Sequence, residues 1–372
     1  MLDEIQSETA SQMMNSILYQ TSPPGSTGLP GLDAHLLFST PHHSSATSSL
    51  NRGDFIEIQG PAASGKTQLV YHLTMKCILP QEVILTFVDD SMHLPHKVDA
   101  GGWCKAAVII DTDGRWNVQR LKCLLVKHLE KAIIPISNGE FHPSLQELVI
   151  QSLKRVHMFR PTSSVSLAAT ILRLPAYHTE HMPSLEIALL VIDSISSFYW
   201  LDRYAFEQQR YSASNNKKDG VSPLNRILVA LQDFRLSHGP VIALTNWGLT
   251  PVSNTSVSAN PGVSQVDSAA SVPTPFYRQH LHPFPAPFEV PPRILPNPRL
   301  FPPITHHITL PSPQALDIPS GGTADLKEAR AFETRSPAAV DKYEFTGILR
   351  TTVEGSTASV FNFYIREDGI TG

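Results

Sequence analysis

An α/β fold, with a mostly parallel sheet flanked by helices and antiparallel strands at the C-terminal end, is predicted by three stretches of this 372-residue chain. The first is Phe55-Ile56-Glu57-Ile58, then Gly60-Pro61-Ala62-Ala63-Ser64-Gly65-Lys66-Thr67, then a helical segment from Gln68 to Met75. Strand, glycine-bounded loop and helix are the context a P-loop requires. The second is Ile187 to Ile192, continuously apolar and closed by Asp193-Ser194, as expected of a strand buried on both faces of a parallel sheet. The third is Val241 to Leu244, a further buried strand that ends at Thr245-Asn246-Trp247. Together they read as a P-loop NTPase core.

Composition narrows the class. A hydrophobic content of 41% is ample for a core. The formal charge of −4 excludes a generally basic nucleic-acid coat, so any DNA contact must be local. The 31 prolines are spread unevenly, which predicts one globular unit interrupted by a poorly ordered stretch. Cys77, Cys104 and Cys123 form no C-x-x-C pair and read as reduced, mostly buried thiols inside a cell. No apolar run approaches membrane-spanning length, and the polar N-terminus lacks the features of a secretory signal.

Four segments are expected: a flexible arm over 1–25, a nucleotide-binding core over 26–250, a Pro/Ser-rich loop over 251–303, and C-terminal strands over 304–372 with a loop at 311–341. Within the arm, Met13 to Tyr19 can form a short helix. Val83 to Val88 has the composition of a strand, but Val108-Ile109-Ile110 with Asp111 is the better core strand. Residues 81–98 are then a surface insertion or retained intronic sequence. Val118, Leu121, Leu124, Leu125, Val126 and Leu129 recur at helical spacing. Leu145 to Leu153, Ser164 to Leu174 and Leu224 to Leu236 are further helices, and Val156 to Phe159 is a short strand. Strands return at Ile304 to Leu310, Tyr343 to Thr352 and Ser359 to Ile365, the last two forming a hairpin through Glu354-Gly355. His42-His43 has no matching ligands nearby, and His306-His307 falls inside a strand and faces both ways, which argues against paired metal sites.

The chemistry concentrates at strand ends. The loop glycines let backbone N–H groups turn around phosphate oxygens, and the helix that follows adds its positive N-terminal end. Lys66 would reach the outer phosphates and the Thr67 hydroxyl would hold magnesium. The nucleotide-binding residues are therefore Gly60, Pro61, Ala62, Ala63, Ser64, Gly65, Lys66, Thr67 and Gln68. Asp193 stands at the carboxyl end of its strand, where such sheets bind ligands, and can complete the magnesium shell directly or through water. A helix N-cap is the competing use of that residue. Asn246, at the same sheet edge, senses the terminal phosphate or is a plain loop asparagine.

Beyond these motifs, Gly28-Leu29-Pro30-Gly31-Leu32-Asp33, Tyr71-His72-Leu73-Thr74, Asp111-Thr112-Asp113-Gly114 and Asp193 through Arg203 follow one order along 26–250. In that order the chain resembles the RecA-type recombinase paralogue family. The resemblance implies a RecA-like ATP-binding core using ATP and magnesium, and a nuclear role in homologous-recombination repair. Its implied partners are other recombinase paralogues, the recombinase filament, and single-stranded or branched DNA, with no membrane. Family recombinases place a glutamate to activate the attacking water; here the position is Asp113, one methylene shorter. They also follow the Thr-Asn pair with glutamine, where this chain has Trp247, and both departures weaken the case for a hydrolysis-driven motor. A separate N-terminal helical DNA-binding domain is not expected. By analogy the DNA-facing loops are Arg203 to Gly220, with Arg203, Arg210, Lys217 and Lys218 as contacts among aromatics, and Thr250 to Phe301.

Overall fold

The computed structural model describes residues 23–38, 48–89, 92–133, 144–212, 223–252, 276–281, 301–311, 343–351 and 358–372, with single positions among the first seventeen. The sheet is built on β1 (Phe55–Gly60), which pairs in parallel with His306–Thr309 on one side and Val241–Trp247 on the other. Next to Val241–Trp247 come, in parallel, Ile187–Asp193, then Ala106–Asp111, then Val156–Phe159. Tyr343–Thr351, Ser359–Arg366 and Gly369–Thr371 extend the other edge in antiparallel fashion, giving nine strands among the described residues. The last of these was not foreseen.

The apolar runs are central strands because helices cover both of their faces. On one face Leu69, Leu73, Leu121, Leu125, Leu145 and Val149 pack against Ile58, Ile109 and Val191. These side chains come from helices α1 (Lys66–Ile78), α2 (Val118–Ile133) and α3 (Ser144–Leu153). On the opposite face α4 (Ser164–His181) and α6 (Pro223–His238), separated in sequence by α5 (Tyr199–Ser212), pack Ile171, Leu174, Ile227 and Leu231 against Ile110, Ile192 and Leu244. Asn117 starts α2 by accepting backbone N–H bonds from Gln119 (2.8 Å) and Arg120 (3.3 Å), and Ser163 caps α4. Gly239, at φ 63°, ends α6. The Gly28–Asp33 motif is likewise a helix start, since Asp33 accepts from the backbone N–H groups of Thr27 (2.8 Å) and Gly28 (2.9 Å) ahead of the helix Pro30–Phe38.

Several expectations change. Glu82–Asp89 and Met92–Asp99 pair only with each other, so the strand-like composition of Val83 to Val88 belongs to a hairpin outside the main sheet. Core strand Ala106–Asp111 is where it was expected. The helix from Ser164 does not stop before Pro175 but continues to His181, and its apolar face stays buried up to Leu174. Burial of that face outweighs the one backbone bond that proline removes. Of the cysteines only Cys77 is buried; Cys104, in the segment before Ala106–Asp111, and Cys123, on the outer side of α2, are exposed. Residues 203–212, expected as loop, are helical, while 213–220, most of 253–303 and the Glu354-Gly355 turn lie outside the described residues, as does most of Met13 to Tyr19.

Candidate nucleotide site at the strand ends

The loop after β1 has the backbone its composition predicts. A Cβ on Gly60 would lie 2.3 Å from the Leu310 carbonyl oxygen and 2.5 Å from Ser64 Oγ, so only glycine fits there. Gly65 adopts the left-handed region (φ 89°) as the N-cap of α1, and Ala63 shares it at φ 61°. Two backbone reversals in three residues curl the loop, leaving the first turn of α1 to present its N–H groups. Beside Gly65 stand two side chains from the far end of the chain: its Cβ position is 2.8 Å from Ile365 Cδ1 and 3.5 Å from Phe345 Cδ1. The antiparallel strands thus wall the loop.

Lys66 folds back over the loop and donates from Nζ to the carbonyl oxygens of Gly60 (2.7 Å) and Pro61 (2.5 Å). Burial lowers its pKa to about 8, against the opposing pull of Asp193 and Asp113. An incoming polyphosphate would supply the compensating negative charge.

Asp193, at the end of its strand, is buried. Its Oδ1 accepts from the Thr245 hydroxyl and its Oδ2 from Trp116 Nε1 (3.2 Å), and the Thr67 hydroxyl is near enough to favour its ionised form. Burial raises its pKa, and the Thr245, Thr67 and Trp116 donors oppose that rise. Asp113 accepts from Ser197 Oγ, which also lies 2.7 Å from the Thr112 hydroxyl. Lys66, Thr67, Asp113 and Asp193, from three separate segments, therefore converge. A hydroxyl and a carboxylate beside a phosphate cradle are hard oxygen donors, the set that suits magnesium held jointly with phosphate and water. The residues fit ATP with magnesium. Among the described residues no group of three or more His, Cys, Asp or Glu is placed to hold a metal ion.

Asn246 does not join this group, which corrects its expected role. Side chains alternate along a strand, so Thr245 faces α1 and Asn246 faces the opposite layer. There its Nδ2 donates to Glu57 Oε1 (2.6 Å) and to Gln279 Oε1 (3.0 Å), and its own Oδ1 accepts from Ser196 Oγ. Gln279 Nε2 in turn donates to Glu57 Oε1 (2.8 Å). Burial lifts the Glu57 pKa to about 7 despite the Asn246 and Gln279 donors. His307 Nε2 stands 3.8 Å from Glu57 Oε2, but burial and Arg350 hold its imidazole down to about 3. The pair is therefore not an ion pair at neutral pH. Gln279 pins the segment 276–281, inside the expected Pro-rich loop, to the sheet. Gln279→Ala is expected to cost about 1–3 kcal/mol by stranding buried partners, and to speed amide exchange at 276–281 before that of the central strands.

The proposed DNA contacts lie elsewhere. Arg203, on α5, pairs with Glu207 (2.9 Å) and lies 5.9 Å from the Trp200 ring centroid. Trp200, Leu201 and Tyr204 are exposed on the same helix. A cavity of about 820 Å³ opens beside it, lined by Tyr199, Arg203, Phe206, Leu224, Arg278 and His280. Arg210 is on α5 as well, and Lys217 and Lys218 lie outside the described residues. Sequence reasoning missed Trp116, Thr245, Phe345 and Ile365 at the candidate site. Only Thr245 carried a readable signal, because it shares strand parity with Val241 and Ala243, which face the α1 layer.

The fold and these strand-end groups define an α/β protein with a mostly parallel sheet and a site at the carboxyl ends of its strands. No family model matches the chain. It is similar to the DNA repair protein XRCC2 of Mus musculus, at 33% identity over 151 residues, 41% of this chain and 43% of that protein. It is also similar to the DNA repair protein XRCC2 homolog of Arabidopsis thaliana, at 25% identity over 258 residues, 64% of this chain and 62% of that protein. The chain thus spans less than two thirds of either relative. These matches agree with the resemblance to recombinase paralogues drawn from the motifs. No helix among the described residues is long and apolar enough to cross a membrane.

Proposed function

We propose that this chain is an ATP-binding recombinase paralogue with a RecA-like core, acting in the nucleus in DNA double-strand break repair by homologous recombination. It assists recombinase filament assembly on single-stranded DNA through a complex with other paralogues. The observation that carries the reading is the convergence of Lys66, Thr67, Asp113 and Asp193 at one set of strand ends, in a chain similar to proteins named for DNA repair. In this reading the loop and Lys66 bind the phosphates, Thr67 and Asp193 hold the cation, and Asp113 sits within electrostatic reach of Lys66. Bound magnesium would neutralise phosphate charge. Asp113 also favours a second reading, an active single-stranded-DNA-dependent ATPase, because a carboxylate in that place can orient water.

One experiment separates the two. Purified full-length chain is assayed for ATP binding and turnover with and without single-stranded DNA, and for capture of recombinase paralogues. Tight binding with negligible turnover and retained partner capture is the expected result. Turnover that DNA stimulates would support the ATPase reading, and absence of ATP binding would overturn both.

A further inference from the structure

We propose that Trp116 is the positioning residue for the cation at this site, acting through Asp193; the proposal rests on the nucleotide-binding reading above. Trp116 is buried, and a buried indole N–H requires an acceptor. The acceptor here is Oδ2 of Asp193 at 3.2 Å. Every other part of the residue is fixed. Its ring packs on Tyr71 of α1, centroids 4.0 Å apart, and the Tyr71 hydroxyl accepts from the Asn117 backbone N–H at 2.7 Å. Its own backbone N–H donates to Asp111 Oδ2 (3.3 Å), and its carbonyl accepts from Arg160 Nη2 (3.1 Å). Arg160 Nε completes the brace on Asp111 at 3.0 Å.

The consequence is rotational. Each carboxylate oxygen of Asp193 has its own donor, Thr245 on Oδ1 and Trp116 on Oδ2, so the group cannot turn about its terminal torsion without breaking one bond. The Thr67 hydroxyl is close enough to the same carboxylate to favour its charged form, so the fixed orientation is held beside the second candidate cation ligand. Donors that orient a ligating carboxylate commonly change metal affinity by 10–100-fold when removed. Phosphate contacts from the loop and Lys66 do not run through Trp116. Its loss should weaken the cation and spare the phosphates.

Trp116→Phe keeps the ring on Tyr71 and removes only the N–H. ATP binding by the full chain is measured by calorimetry across a magnesium series and in EDTA, with Thr245→Val as a second variant that frees the other oxygen. The expected result is an approximately tenfold rise in the magnesium concentration needed for half-maximal tightening in both variants. Affinity in EDTA should stay within about twofold. Labelling the four tryptophans of the wild-type chain with fluorotryptophan gives a direct view, since the resonance missing from Trp116→Phe should move on adding magnesium with ATP and stay still with ATP in EDTA. Unchanged magnesium dependence in Trp116→Phe, or a motionless Trp116 resonance in a chain that binds magnesium and ATP, overturns the proposal and leaves the nucleotide reading intact. A wild-type chain that binds no ATP overturns both. If Trp116→Phe does not fold, the Trp116 resonance is assigned by elimination from Trp103→Phe, Trp200→Phe and Trp247→Phe, and its response decides.

Discussion

Lys66→Ala is expected to lower ATP affinity by at least about a hundredfold, roughly 3 kcal/mol, while leaving the chain folded. The ammonium of Lys66 lies over the loop. It would exchange two carbonyl contacts for charge-assisted bonds to phosphate, each worth about 1.5–3 kcal/mol in a partly desolvated site. Its present contacts are with neighbouring backbone and contribute little to the core. Equilibrium binding of a fluorescent ATP analogue and a thermal melt, run together, check the prediction. A variant that melts like wild type and still binds within tenfold would show that the loop holds no phosphate at this position.

Glu57→Gln is expected to stabilise the protein at pH 8 by about 2–3 kcal/mol and to leave it nearly unchanged at pH 4.5. Burial raises the carboxyl from 4.5 to about 7 in the folded chain, so between those values the folded state holds the proton more tightly than the unfolded one. The stabilising contribution is complete below pH 4.5 and is lost as pH rises through 7. At about 1.4 kcal/mol per pH unit the gap amounts to roughly 3 kcal/mol. Buried His72 and His307, held neutral with values lowered to about 4 and about 3, act in the opposite direction, their stability being lost as pH falls. The difference between variant and wild type in urea titrations from pH 5 to 8 isolates Glu57. A difference that stays flat over that range would mean that Glu57 is ionised throughout.

Much of the architecture was legible because apolar runs such as Ile187 to Ile192 have a single stable location, the middle of a covered sheet. Lys66, Thr67 and Asp193 were legible because loop chemistry and strand-end position are local properties. Asn246 was misread because function was assigned to the strand end as a whole, whereas the pleat sends successive residues to opposite layers. Gln279 was hidden in a proline-rich stretch whose composition says nothing of the polar pocket beneath it. Trp116 and its acceptor are 77 residues apart, and nothing local to Trp116 points to Asp193. The hairpin over 82–99 shows the converse error of scale, since strand composition identifies a strand but not the sheet it enters.

The wall of Phe345 and Ile365 against Gly65 has a consequence for the order of assembly. During synthesis the phosphate loop leaves the ribosome nearly three hundred residues before the strands that lean on it. Its own strand and helix can form early, yet one side of the loop stays open to water until the final strands arrive. The first-made part of the site is therefore among the last to be finished, and a nascent chain halted before residue 343 carries an unwalled loop.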